Sequence, residues 1–168
     1  MKKFLLVAVL AILPFLVKAQ SVKFGYVNAQ EIFQLMPELD SIEKELAEYN
    51  AKNAEYMQAM EQELSEKAEK YEQEKDKLSD AIRKVTEEEL QSLYQRYQTA
   101  YQTLQMETQK KQQELIEPVN NRIREAIDKV GKKNGYMFIF DLGAGAILYK
   151  SDMAVDVSSQ VKKELGIL

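Results

Sequence analysis

Asp141-Leu142-Gly143 has the form of an aspartyl catalytic triplet, the one short motif in the sequence that suggests a reaction. Carboxylate chemistry of that kind needs a second carboxylate motif to share the proton, and none accompanies it. A strand-ending aspartate before a glycine turn accounts for the same residues. The sequence has no histidine, which removes the commonest general base and metal ligand. It has no cysteine, so thiol nucleophiles, thiolate metal sites and disulfides are excluded. No phosphate-cradling glycine loop is present, because the sequence has no Gly-Lys-Ser/Thr and no G-x-G before a helix. Acidic clusters such as Glu87-Glu88-Glu89 lack the spacing of a calcium loop and read as a solvated face. The expectation is a protein that is not an enzyme and carries no metal or cofactor.

The residues whose spacing does carry information are amides and aromatics. Gln91, Gln95, Gln98, Gln102, Gln105, Gln109 and Gln112 step by four and three, which places them on one uncharged helix face. Glutamine is a good helix former on a solvated surface, and that alone explains such a stripe. It also offers donors and acceptors together, which suits an irregular polypeptide partner. Beside it run Leu90, Tyr94, Tyr97, Tyr101 and Leu104. Upstream, Met57, Leu64, Tyr71, Leu78 and Val85 recur every seven residues, with Met60, Ala81 and Ile82 partly filling the second seam position. Lys67 and Glu74 interrupt that seam, so the heptad is weak. Helical spacing explains the Tyr and Met positions as seam packing; contact with a bound partner is the alternative. The candidate binding residues are Met57, Met60, Tyr94, Gln95, Gln98, Tyr101, Gln102 and Gln105.

The element that positions them runs from Pro37 to Pro118, about eighty residues without glycine or internal proline. One helix of that length would span roughly 120 Å, so an antiparallel hairpin with arms of roughly 60 Å is expected over 37–117. Its tip is placed between Leu78 and Thr86. Either Ser79, or Thr86 with Glu89 three residues later, can cap the returning helix.

The flanks have a different character. Val22 to Val27 alternates as a half-buried strand does, and Asn28 with Glu31 forms a capping-box-like start to a short helix bearing Ile32, Phe33, Leu35 and Met36. Pro37 kinks or restarts it. After Pro118, Val119, Ile123, Ile127 and Val130 make an amphipathic stripe that ends at Gly131 or at Asn134-Gly135. Tyr136 to Phe140 is apolar on both faces, as a central strand would be, and Ala146 to Tyr149 reads as a further strand. Asp156 or Ser158 can cap a last helix with Val157, Val161 and Leu165 on one face. The predicted fold is α+β and mostly α: a long coiled-coil-like hairpin projecting from a small β-containing body made of 20–36 and 118–168.

Met1 to Ala19 has basic Lys2 and Lys3, an apolar run from Phe4 to Val17, and small residues before Gln20. It reads as a secretory signal peptide cleaved after Ala19, leaving an exported chain without stable membrane insertion. The formal net charge of −4 is unevenly spread: residues 38–117 hold 20 acidic and 11 basic side chains, net −9, and residues 118–168 are net +2. An acidic rod argues against nucleic acid, whose affinity comes from phosphate neutralisation.

In this order the features resemble the Skp/OmpH family of periplasmic chaperones across the whole mature chain. The residues that carry the likeness are Val27-Asn28 entering a short helix, the charged hairpin, Ala126-Ile127 through Val130 and Tyr136 into Phe138-Ile139-Phe140-Asp141, and Leu148-Tyr149 followed by Asp156-Val157-Ser158 and Val161. The resemblance implies a homotrimer whose strands build one small β-body, with three arms enclosing a cavity. It also implies ATP-independent holding of unfolded outer-membrane β-barrel proteins in the periplasm. The body residues expected to serve assembly are Val22, Phe24, Tyr26, Phe138, Phe140, Ile147 and Tyr149. One departure stands out: the family is associated with strongly basic arms, whereas these are acidic, so no lipopolysaccharide site is carried over. Client capture is then expected to rest on the glutamine stripe and the Met and Tyr positions. The rival reading is a structural coiled-coil spacer of the cell envelope, which would want a fuller seam and no strands at both ends. An export-pump adaptor would need further β domains beside the hairpin.

Overall fold

The computed structural model describes residues 22–168, so the expected signal peptide and its cleavage site lie outside the described residues. Within them the chain divides into two compact units, 22–32 with 125–166, and 33–124.

The first unit is a three-stranded parallel sheet with helices on one face. Strand β1 (Phe24–Val27) is central, flanked by β2 (Phe138–Asp141) and β3 (Val155–Asp156) in the order β2-β1-β3. The register pairs Phe24 with Phe138, Gly25 with Ile139 and Tyr26 with Phe140. Alternation along β1 therefore sorts the sheet into two faces. Gly25, Val27 and Ile139 face inward. The core there comprises Val27, Ile32, Ala126, Val130, Val157 and Val161, all at most 4 % exposed. Gly25 is needed for close approach: a Cβ there would lie 3.1 Å from Val157 and 3.2 Å from Ile139. Gly25→Val is expected to cost about 1–3 kcal/mol by overpacking, read as a lower urea midpoint for loss of sheet signal.

Two expectations are corrected here. The apolar run 136–140 is an edge strand of this chain rather than a central one, with Phe138 and Phe140 exposed. The predicted strand 146–149 is not paired; β3 forms instead at Val155–Asp156. Leu148 and Tyr149 stand 97 % and 82 % exposed, so their β-forming composition finds no partner strand among the described residues.

Local signals otherwise operate as their chemistry requires. Helix α1 (Ala29–Phe33) starts with the capping-box pair: the Glu31 N–H donates to Asn28 Oδ1 at 3.3 Å, and Asn28 Nδ2 donates to Glu31 Oε1 at 2.7 Å. Asp141 Oδ1 accepts from the Ala29 N–H at 3.0 Å and the Gly143 N–H at 2.9 Å, so this carboxylate ties the end of β2 to the start of α1. That is the structural use of the Asp-Leu-Gly triplet. The last helix, α4 (Ser158–Leu165), begins where Asp156 Oδ1 accepts the Ser158 N–H at 2.8 Å and ends at Gly166 in the left-handed region. The Ser158 hydrogen bonds, side chain and backbone, hold the Asp156 carboxyl below its usual range.

The second unit is an antiparallel helical hairpin. Pro37 directly precedes α2 (Glu38–Glu74), where its missing N–H costs nothing. A short 3-10 turn at Lys75–Lys77 and an extended Leu78 then reverse the chain. Helix α3 (Asp80–Asn134) returns, and its C-terminal part belongs to the first unit. Ser79 caps α3, accepting the Ile82 N–H at 3.4 Å, whereas Thr86 lies inside the helix and donates to the Ile82 carbonyl at 2.9 Å. Pro118 is accommodated within α3, which runs on to Asn134; Gly135, at φ +67°, follows.

Candidate functional site

The hairpin register is fixed by side-chain pairs across the seam. Arg122 pairs with Glu38, Lys111 with Glu45 at 2.6 Å, and Lys67 with Glu89 at 4.0 Å. Tyr49 donates to Glu107 at 3.5 Å, and the Tyr71 hydroxyl donates to Glu87. The hydrogen bond to Glu87 raises the Tyr71 pKa, and that to Glu45 raises the Lys111 pKa. These groups are solvated, so they set register more than stability.

Burial identifies the seam itself. One end is well packed by Met36, Ile42, Val119 and Ile123, all at most 8 % exposed. Along the rest only Met60 (7 %) and Leu93 (4 %) are buried, because Asn53, Ala68, Ala100 and Thr108 occupy seam positions with little or polar substance. Asn53 Nδ2 is buried without a hydrogen-bond partner. Asn53→Leu is expected to stabilise the hairpin by about 1 kcal/mol, since an unpaired buried donor costs on the order of that amount. Thermal unfolding followed by helix dichroism would show it.

On α3 the seam is Leu90, Leu93, Tyr97, Ala100 and Leu104, all buried or half-buried. The sequence stripe had Tyr94 and Tyr101 in place of Leu93 and Ala100. Both sets step by three and four, so spacing alone does not choose between them. The structure leaves Tyr94 50 % and Tyr101 52 % exposed, where a phenol can keep its hydroxyl in water. Met57 is half-buried, and every glutamine of the stripe from Gln91 to Gln112 is exposed.

Two open grooves flank the seam. One, of about 630 Å³, brings together Met57, Tyr101 and Gln105 with Asn53, Ala54 and Tyr97. The other, of about 530 Å³, contains Met60 and Gln95 with Tyr56, Ser92, Arg96 and Thr103. Tyr94, Gln98 and Gln102 line neither and stand free on the α3 surface. Sequence reasoning missed Tyr56, 52 % exposed; it sits off the heptad positions, one residue from Met57.

In the first unit the outer sheet face carries the remaining candidates. Phe24, Phe138 and Phe140 stack with ring centroids 5.9–6.3 Å apart and remain 40–52 % exposed. Val22, Phe24, Tyr26, Phe140, Ile147 and Tyr149 line one groove of about 470 Å³ there. Three stacked phenylalanines left in water form an exposed apolar patch on the outer sheet face, the kind of surface that marks an interaction site.

Among the described residues no group of three or more acidic, histidine or cysteine side chains could hold a metal ion, and no helix is long and apolar enough to cross a membrane.

Comparison with known proteins agrees over nearly the whole chain. The protein named Chaperone protein Skp in Yersinia enterocolitica is 29 % identical over 164 residues, 96 % of this chain and 100 % of that protein. The protein of the same name in Pectobacterium atrosepticum is 29 % identical over 83 % of this chain and 86 % of its own length. That in Vibrio cholerae is 25 % identical over 71 % and 70 %. A family model described as outer membrane protein (OmpH-like) matches residues 23–165. With that match across both units, the chain belongs to the OmpH-like outer membrane protein family.

Proposed function

We propose that this chain is a periplasmic holdase chaperone: it binds unfolded outer-membrane β-barrel proteins between helical arms and keeps them from aggregating, without ATP. The observation that carries the reading is the pairing of two unlike surfaces. The hairpin has a thin, polar-interrupted seam with exposed Tyr94, Tyr101 and glutamine amides along it. Such a surface makes many weak, adaptable contacts and opens locally at small cost. The sheet bears a compact aromatic face that wants a permanent partner. Relatives named as chaperones span the same length of chain.

The aromatic face supports self-association, and a homotrimer follows the family resemblance. A small split body gains the stability it lacks by sharing its apolar face with other copies. The unpaired, β-prone Ala146 to Tyr149 is then available to lie along a neighbouring copy's sheet. Residues 1–19 act as the export signal on this reading, delivering the mature chain to the periplasm. A structural spacer is less well served, since a rigid rod needs the continuous seam that Asn53, Ala68 and Thr108 break. The test is suppression of light scattering when an outer-membrane β-barrel protein is diluted from urea into buffer containing the mature chain and no nucleotide.

A further inference from the structure

Asn134-Gly135 is the one Asn-Gly pair in the sequence. The other five asparagines, Asn28, Asn50, Asn53, Asn120 and Asn121, precede alanine, asparagine or arginine. An asparagine amide reacts with the backbone nitrogen of the residue that follows it, and glycine, having no Cβ, leaves that nitrogen unshielded. Both residues of the pair are exposed, and the space about Gly135 is open: a Cβ built there would meet nothing within 4 Å.

We propose that Asn134 is a self-modification site, at which the Gly135 nitrogen attacks the side-chain amide and the chain acquires aspartate or isoaspartate. The Gly135 N–H gives its proton to hydroxide, and the nitrogen forms a bond to Asn134 Cγ. The Cγ–Nδ2 bond breaks, and Nδ2 takes up a proton from water and leaves as ammonia. Water then opens the cyclic imide. Opening at the side-chain carbonyl leaves aspartate; opening at the main-chain carbonyl leaves isoaspartate, with an added methylene in the backbone.

The fold sets when this happens. Asn134 Nδ2 donates to the Val130 carbonyl at 2.8 Å, which holds the amide back along the helix. Lys23 Nζ donates to the Asn134 carbonyl at 3.3 Å and lies 4.1 Å from the Tyr136 ring centre, so it pins the peptide whose nitrogen must attack. The Tyr136 N–H donates to the Gly131 carbonyl at 3.0 Å, closing the left-handed turn at Gly135. Ring closure needs the Asn134 backbone to leave the helical region, so these bonds open first. The end of α3 therefore reacts from its frayed state.

The product acts on the sheet. Two residues after Gly135, the Met137 N–H donates to the Lys23 carbonyl at 2.9 Å, and Phe138 then pairs with Phe24. An added methylene at position 134 lengthens the connection from α3 to β2 and works against that register. The chemical age of the chain is thereby coupled to the strand that carries Phe138 and Phe140.

The test incubates the full mature chain in mildly alkaline buffer, with and without urea, and follows each asparagine by peptide mapping. Asn134 is expected to react ahead of the other five, and about tenfold or more faster in urea than in the folded chain. Lys23→Met, which removes the donor and keeps the stem, should raise the folded rate severalfold and leave the rate in urea alone. Lys23→Arg, which restores a donor, should return the original rate. A different leading asparagine, equal rates with and without urea, or a folded rate that Lys23→Met leaves unchanged or lowers would each overturn the proposal. The isoaspartate form, isolated by chromatography, should lose its sheet signal at lower urea than Asn134→Asp, which has the same charge and no added methylene. Equal midpoints for those two would overturn the coupling to β2. No client is involved, so neither outcome depends on the holdase reading.

Discussion

Phe138→Asp is expected to turn the proposed trimer into single chains. Phe138 is 52 % exposed on the outer sheet face and stacks on Phe24 and Phe140 at 6.3 and 5.9 Å. If other copies cover that face, aspartate puts an unpaired carboxylate into a dry interface, at a cost of several kcal/mol at each copy. Within one chain the same substitution is mild, because the side chain already faces solvent and the core lies on the opposite face of the sheet. Native mass spectrometry should therefore report a single-chain mass while helix dichroism is retained. On the proposed trimer reading client holding should fall with it, because arms on separate chains no longer surround one polypeptide and the gain from multiple attachment is lost. A variant that remains assembled would show that the aromatic face is covered by something other than a second copy.

The second large effect concerns the amide stripe. Replacing Gln95, Gln98, Gln102 and Gln105 with glutamate is expected to weaken holding by about tenfold or more. All four side chains are exposed on α3, so the helix tolerates the change. What is lost is donor capacity: a carboxylate accepts only, and an amide does both. Four further negative charges on an arm already at net −9 also raise the cost of laying a polypeptide carbonyl against it. The measurement is the chaperone concentration needed to halve light scattering from a diluted β-barrel client. Unchanged holding would place the client elsewhere on the chain. Substituting glutamine by alanine at the same sites separates the two causes, since it removes the amide without adding charge.

Much of this architecture is legible in the sequence because helices and caps are local. A glycine-free, proline-free run sets the hairpin, Asn28 with Glu31 sets the start of α1, and the Gly135 turn follows the end of α3. What the sequence leaves undetermined depends on which of two equivalent registers is buried. Leu90-Tyr94-Tyr97-Tyr101-Leu104 and Leu90-Leu93-Tyr97-Ala100-Leu104 have the same spacing, and only the partner helix decides between them. Tyr94 and Tyr101 lie outside the seam, each about half exposed, while Tyr97 packs within it. Strand order was beyond reach for a related reason. Phe138-Ile139-Phe140 is apolar on both faces, which reads as a central strand, yet it sits at an edge with its phenylalanines exposed. Apolar composition there gives an exposed patch on the outer sheet face instead of a core strand.

The central claim is that this chain holds unfolded polypeptide, and it is tested most directly by dilution. An outer-membrane β-barrel protein in urea is diluted into nucleotide-free buffer with increasing amounts of the mature, folded chain, and light scattering is followed. Scattering that falls to baseline and saturates near three chains per client is the expected result. Scattering that is unchanged at several-fold excess would contradict the holdase reading and favour a structural coiled coil of the envelope.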